Sequence, residues 1–193
     1  MLSMRNALGT LALASTLALG ACSSSQEGSD QQSKASTASP MPSAPAATLT
    51  ADQVNVKLTL QGEPVLTADG QNIAVTVDLV NSGKTLLTSS GSNPVNLGAH
   101  SVDANGKIIN NDLVHAALPD IAPGTSAAVT ILLPVSGIVN ESAQILPVQE
   151  GVAWFDTWGT KPLTVGPFNS CKNTAEGAVC NADGKPLATT PAH

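Results

Sequence analysis

Aromatic side chains are nearly missing from this sequence: two Trp, two Phe and no Tyr among 193 residues. A core must therefore be filled by Ala, Val, Leu and Ile, and each ring that does occur matters, either as bulk or as binding surface. Charge is scarce too, at 11% of residues, with eight Lys and Arg against 14 Asp and Glu. That balance argues against nucleic acid, whose phosphates need clustered basic residues, and against an electrostatic grip on anionic lipid. The amino-terminal apolar run, residues 7–20, is uncharged but only 14 residues long, too short for a hydrocarbon core of ~30 Å. Catalytic signatures are also missing. There is no G-x-S-x-G elbow, H-E-x-x-H pair, phosphate loop or dinucleotide fingerprint. No cofactor is implied and no enzyme is expected.

What is present begins with an address. Arg5 precedes the run 7–20, which ends in Leu19 and Gly20 and is followed by Ala21 and Cys22. The length of the run and the small residues at its end are those of a cleaved secretory signal. This stretch resembles the bacterial lipobox, a Leu followed by two small residues and Cys. The resemblance implies cleavage before Cys22 and acylation of its thiol and new amine, so that several chains anchor the protein where one would be marginal. The membrane partner is thus the Cys22 lipid. Ser23, rather than Asp, at the next position implies sorting to the outer membrane in a Gram-negative host. Cleavage removes Arg5 and leaves seven basic against 14 acidic residues.

Three Cys is an odd number, and lipidating Cys22 leaves Cys171 and Cys180 as a pair. Nine residues apart, they close a short loop containing Asn173, Gly177 and Ala178 that can turn back without strain, and they are expected to form a disulfide. Two Cys without nearby His make a poor zinc site, and a C-x-x-C redox spacing is missing. No metal is expected.

Residues 22–49 hold the lipidated Cys and a stretch rich in Ser, Ala, Gln and Pro with almost nothing to bury, which reads as a disordered tether. A flexible coil of this length has a reach of ~25–30 Å. Beyond it the pattern changes to period two. Val54, Val56, Leu58 and Leu60 alternate with polar residues, and so do Ile73, Val75, Val77 and Leu79. Val95, Leu97 and Ala99 predict a third strand, with Asn105 and Gly106 as a hairpin turn leading back through Ile108 and Ile109. A loop with the Pro123 and Gly124 corner precedes the alternation of Ala127, Val129, Ile131 and Leu133. A strand over 143–149 carries Pro147, which predicts an edge or a bulge; residues 152–155 and 163–165 complete the set. Seven to eight short strands over 50–167 predict an all-β fold, a single antiparallel β-sandwich. Residues 168–193 form a disulfide-containing tail expected to pack lightly on it.

The segments Val77, Asp78, Leu79, Val80, Asn81, Ser82, Gly83 and Leu118, Pro119, Asp120, Ile121, Ala122, Pro123, Gly124 resemble Ig-like accessory modules of bacterial surface proteins. The runs 93–100 and 150–155 are similar to β-sandwich modules appended to polysaccharide-handling enzymes, with Ala99 standing where that pattern has an aromatic. The resemblance implies an Ig-like sandwich and a glycan context.

Trp154, Phe155 and Trp158 gather three of the four aromatics within five residues and are the candidate binding surface. Alternation puts Trp154 and Phe155 on opposite faces, so at least one is core. Trp154 is the expected core filler and Trp158, beside Gly159, the expected exposed ring. Residues 101–112 invite a calcium alignment on Gly106 through Asp103, Asn105 and Asp112, but Ser101 replaces the first acidic ligand and the Asn-Gly hairpin explains the same residues. His100 and His115 are candidates for a catalytic base or a metal pair with Asp103, Asp112 or Asp120, yet nothing in the sequence fixes them together. The expected function is that of a membrane-anchored envelope lipoprotein whose non-catalytic β-domain binds a protein or a glycan. The alternative is a small envelope-polymer hydrolase.

Overall fold

A computed structural model describes residues 48–172 and 177–190, all within the compact unit Met41–His193. Residues 1–47, which include the expected signal peptide, Cys22 and most of the expected tether, lie outside the described residues, as does His193. Ten strands run in chain order: β1 Val56–Leu60, β2 Val65–Leu66, β3 Asn72–Asn81, β4 Val95–Val102, β5 Ile108–Ala117, β6 Thr125–Pro134, β7 Glu141–Gln149, β8 Ala153–Trp154, β9 Leu163–Ser170 and β10 Val179–Cys180. No α-helix occurs among the described residues; there are two short 3₁₀ turns, Val135–Gly137 and Phe155–Trp158.

The strands form two antiparallel sheets. In the first, β3 pairs with β6 along its whole length and with β1 and then β2 along its other edge. The second has the order β10-β9-β7-β4-β5, with β8 added beside β7. In Ig lettering, β1, β3 and β6 are A, B and E, while β5, β4, β7 and β9 are C′, C, F and G, so the fold is an Ig-like sandwich. Ten strands appear where seven to eight were expected because β2, β8 and β10 have two residues each, too few for alternation to register.

Ile73, Val75, Val77 and Leu79 of β3 are fully buried; with Ile131 and Leu133 of β6 beside them in the same sheet, and Leu97 and Ala99 of β4 and Ile145 of β7 from the other, they form one core cluster. Burying each such side chain contributes about 1.5–3 kcal/mol. The first alternation holds only in part: β1 starts at Val56, which is buried, whereas Leu60 is 41% exposed. β1 is an edge strand, and it ends where Gly62, at φ 75°, turns the chain. Pro147 lies in neither an edge strand nor a bulge, since β7 has neighbours on both sides. Glu150 N–H donates to the Pro94 carbonyl, so alternation turns the Pro147 nitrogen away from β4. On that side β9 pairing stops at Ile145 and β8 pairing starts at Val148, so no ladder bond is lost.

Both domain boundaries shift. Leu49, assigned to the tether, is buried in the core, and its N–H donates to Gln149 Oε1 at 2.9 Å. The carboxyl-terminal segment is not a lightly packed tail. β9 continues to Ser170, β10 pairs with it, and Cys171 and Cys180 are joined in a disulfide. The chain then crosses to the other sheet, where Leu66 N–H donates to the Ala188 carbonyl and Thr190 N–H to the Leu66 carbonyl. Val179 and Cys180 are buried and Leu187 packs on the core, so this strap closes one side of the sandwich. Apolar content spread thinly through a polar tail hid it from a reading by periodicity.

Candidate functional site

The site lies on the outer face of the second sheet. Along β4, Leu97 and Ala99 point into the core, which sends Gly98 and His100 outward. Gly98 pairs with His115 of β5 on one side and Leu146 of β7 on the other. With no side chain at Gly98, the Trp154 indole settles over it: a Cβ there would stand 2.5 Å from two of the ring's carbons. His100 stacks at 4.0 Å between centroids and 48°, and His115 meets the indole edge-on at 5.4 Å and 72°. Such tilted and edge contacts are the favoured aromatic geometries.

Each histidine is held. His100 is 3% exposed and its Nδ1 lies 2.7 Å from the Asn111 carbonyl oxygen, which only accepts, so Nδ1 carries the proton. His115 Nδ1 lies 2.8 Å from Glu150 Oε1, and Nε2 lies 2.9 Å from Asp112 Oδ1. Although close, the Nε2 contact lacks hydrogen-bond geometry, and that buried atom has no such partner. Glu150 is fixed from behind: Asn96 Nδ2 donates to its Oε1 at 2.7 Å, and Asn96 Oδ1 accepts from Ser89 Oγ at 2.8 Å. A cleft of about 340 Å³ opens between β5 and the turn joining β7 to β8, with Asn111, Asp112, His115, Glu150, Val152 and Trp154 among its walls.

The three candidate rings divide differently from expectation. Trp154 is half-buried on the outer face and lies outside the main core. Phe155 is 0% exposed and is core. Trp158 is also half-buried; it packs against the core, 5.1 Å from Phe155. The reason is the 3₁₀ turn that starts directly after β8: it rolls Phe155 inward and lays Trp158 over it. Gly159, at φ 88°, ends that turn.

Of the acids considered beside the histidines, only Asp112 joins the site. Asp120 accepts from Thr88 Oγ. The Asp103 carboxylate accepts the Lys107 and Asn105 N–H groups inside the β4–β5 hairpin, and those bonds hold its pKa below the ordinary carboxylate value. The calcium alignment thus resolves into a turn. Among the described residues no group of three or more His, Cys, Asp and Glu is arranged to hold a metal ion. Glu150, Gly98 and Asn96 were missed by sequence reasoning. A Gly within the alternating Leu97 to His100 segment, with Trp154 far along the chain, was the available signal for a close approach. No family model, curated protein or solved structure matches the chain.

Proposed function

We propose that the protein is a non-catalytic, lipid-anchored binding protein of the bacterial envelope, tethered through Cys22, and that the Trp154 cleft binds a glycan. The observation that carries this reading is one half-buried indole on the outer face of a rigid sheet, framed by His115, Asp112, Glu150 and Asn111. Sugar rings offer C–H groups to an aromatic face and hydroxyl pairs to nearby polar groups, and sites combining an apolar floor with a few fixed polar atoms serve small ligands. A folded sandwich supplies that arrangement without moving parts.

The geometry favours binding over the hydrolase alternative. Paired-carboxylate hydrolysis needs a water and a scissile bond between two acids. Here the imidazole of His115 occupies the space between Asp112 and Glu150.

The test is a glycan array probed with the full chain in detergent, wild type beside Trp154→Ala. A specific signal that falls about thirtyfold or more, the cost of about 2 kcal/mol expected on truncating an interface Trp, supports the reading. Equal signals from the two proteins, or none from either, overturn it.

A further inference from the structure

Resting on the reading of the Trp154 cleft as a sugar site, we infer that its ligand is an uncharged polysaccharide whose hydroxyls donate to Asp112 and Glu150. Polymers bearing uronate, sulfate or phosphate groups are turned away. The inference starts from the charge of the walls. Asp112, Glu150 and His115 are the charged side chains that line the cleft, and no Lys is among them. The sequence's one Arg, Arg5, lies outside the described residues. Two carboxylates thus stand against at most one imidazolium, so the walls are net negative in either protonation state of His115. An acidic sugar group entering here meets like charge in a partly desolvated cleft, where repulsion exceeds that in bulk water.

Hydrogen bonding points the same way. Glu150 uses Oε1 for Asn96 Nδ2 and for the contact with His115, and Asp112 meets His115 through Oδ1. Their second oxygens, Glu150 Oε2 and Asp112 Oδ2, have no hydrogen-bond partner among the described residues. Gln149, also at the cleft, is committed elsewhere: its Oε1 accepts the Leu49 N–H and its Nε2 donates to the Asn93 carbonyl. What the carboxylates leave open is therefore acceptor capacity. A sugar hydroxyl can donate to it, whereas an ionised uronate, sulfate or phosphate group has no hydrogen to give. Asp112, 71% exposed, can turn toward a bound hydroxyl, while Glu150, 32% exposed, is held in place by Asn96. The indole packs on the C–H face of a sugar ring of either kind, so Trp154 supplies affinity and the two carboxylates supply selectivity.

Matched oligosaccharides on one array separate the cases: oligomers of mannose and mannuronate, galactose and galacturonate, and glucose and glucuronate, each pair with one linkage, probed with the full chain in detergent. The expected result is a signal, lost in Trp154→Ala, on at least one uncharged member. At about 0.02 M salt it exceeds that of the acidic counterpart about tenfold or more, and the gap narrows at about 0.5 M. Asp112→Asn, which removes one of the two negative walls, brings the counterparts within about threefold of each other. Asp78→Asn makes the same change in net charge on the outer face of the first sheet, between the buried Val77 and Leu79, and leaves the gap as in wild type. Equal signals within each pair, or stronger ones on the acidic members, overturn the inference while the glycan reading stands. A gap that survives Asp112→Asn, or that Asp78→Asn closes as far, does the same. If no glycan gives a signal that depends on Trp154, the sugar site falls and the inference with it.

Discussion

At the scale of single residues, the site depends on an absence. Gly98 has ordinary extended backbone, so its importance lies in the missing Cβ rather than in conformational freedom. Gly98→Ala would push a methyl to 2.5 Å from the Trp154 ring and 3.0 Å from His115 Cδ2. Both rings must move, because real Cβ atoms do not approach so closely. Overpacking of this kind costs about 1–3 kcal/mol, which lowers the melting temperature of a domain this size by roughly 3–10 °C. The near-ultraviolet circular dichroism of Trp154, now fixed between two histidines, should collapse toward that of a free indole. An unchanged spectrum and melting curve would mean that the indole does not sit over Gly98. Phe155→Ala makes the opposite case. It empties a fully buried position in a core with only one other phenylalanine, so a loss of about 3–5 kcal/mol is expected in denaturant melts. Trp158→Ala should cost less, since its ring is only half-buried, and a loss as large as that of Phe155→Ala would refute the division of roles.

At the scale of elements, turns and closures carry the sensitivity. The β4–β5 hairpin is organised by one carboxylate, Asp103, bonded to the Lys107 N–H at 2.9 Å and the Asn105 N–H at 2.8 Å. Because these bonds favour the charged form, the folded pKa lies below the ordinary 3.8, which the unfolded chain keeps. The stabilisation is therefore fully present above that ordinary value and is lost as pH falls through the lower folded value. Protection of the Lys107 amide, taken relative to its intrinsic exchange rate at each pH, should fall between about pH 5 and pH 2, and Asp103→Ala should show the lower protection already at pH 5. Protection that is the same at both pH values would remove Asp103 from this role. The strap behaves as an element too. Closing a loop with a sequence separation of nine constrains the unfolded chain by about 2–3 kcal/mol. Since Val179, Cys180 and Leu187 are built into the sandwich, Cys171→Ser with Cys180→Ser should leave it folded but raise exchange across the strap and at Leu66, its partner on the other sheet. Exchange confined to the disulfide loop would show that the strap holds without it. The long strands were legible because β3 and β6 repeat every second residue with a buried face. The strap was not, because its pairing partners, Ser170 and Leu66, are 9 and about 120 positions away and only short segments touch. The site was half legible. Sequence named Trp154, His100, His115 and Asp112, but their convergence is set by β5, β4, β7 and β8 lying side by side, a relation that no local spacing encodes.

At the scale of the whole molecule, the entry of the chain and the cleft share one end of the sandwich. Leu49, the first buried residue, donates to Gln149, whose chain neighbour Glu150 forms the cleft wall. Under the lipoprotein reading, the cleft thus lies at the end of the domain where the chain from Cys22 enters it. The described residues hold no helix long and apolar enough to cross a membrane, and 14 Asp and Glu to eight Lys and Arg in the full sequence favour no electrostatic hold on anionic lipid; under the lipoprotein reading the acyl chains on Cys22 carry the anchorage. One acyl chain binds only marginally, whereas two or three hold firmly, so removing the attachment point removes the whole of the anchorage at once. Cys22→Ala is therefore expected to move the protein from the membrane pellet to the soluble or culture fraction and to abolish labelling by a metabolic fatty-acid probe. The sandwich should be untouched, with melting temperature and affinity for a soluble glycan the same as wild type, because residue 22 lies outside the folded unit. What should be lost is retention of that glycan with the membrane fraction. Equal labelling of the two proteins, or a Cys22→Ala protein that still sediments with membranes, would contradict the anchor and with it the role of an envelope tether for sugar polymers.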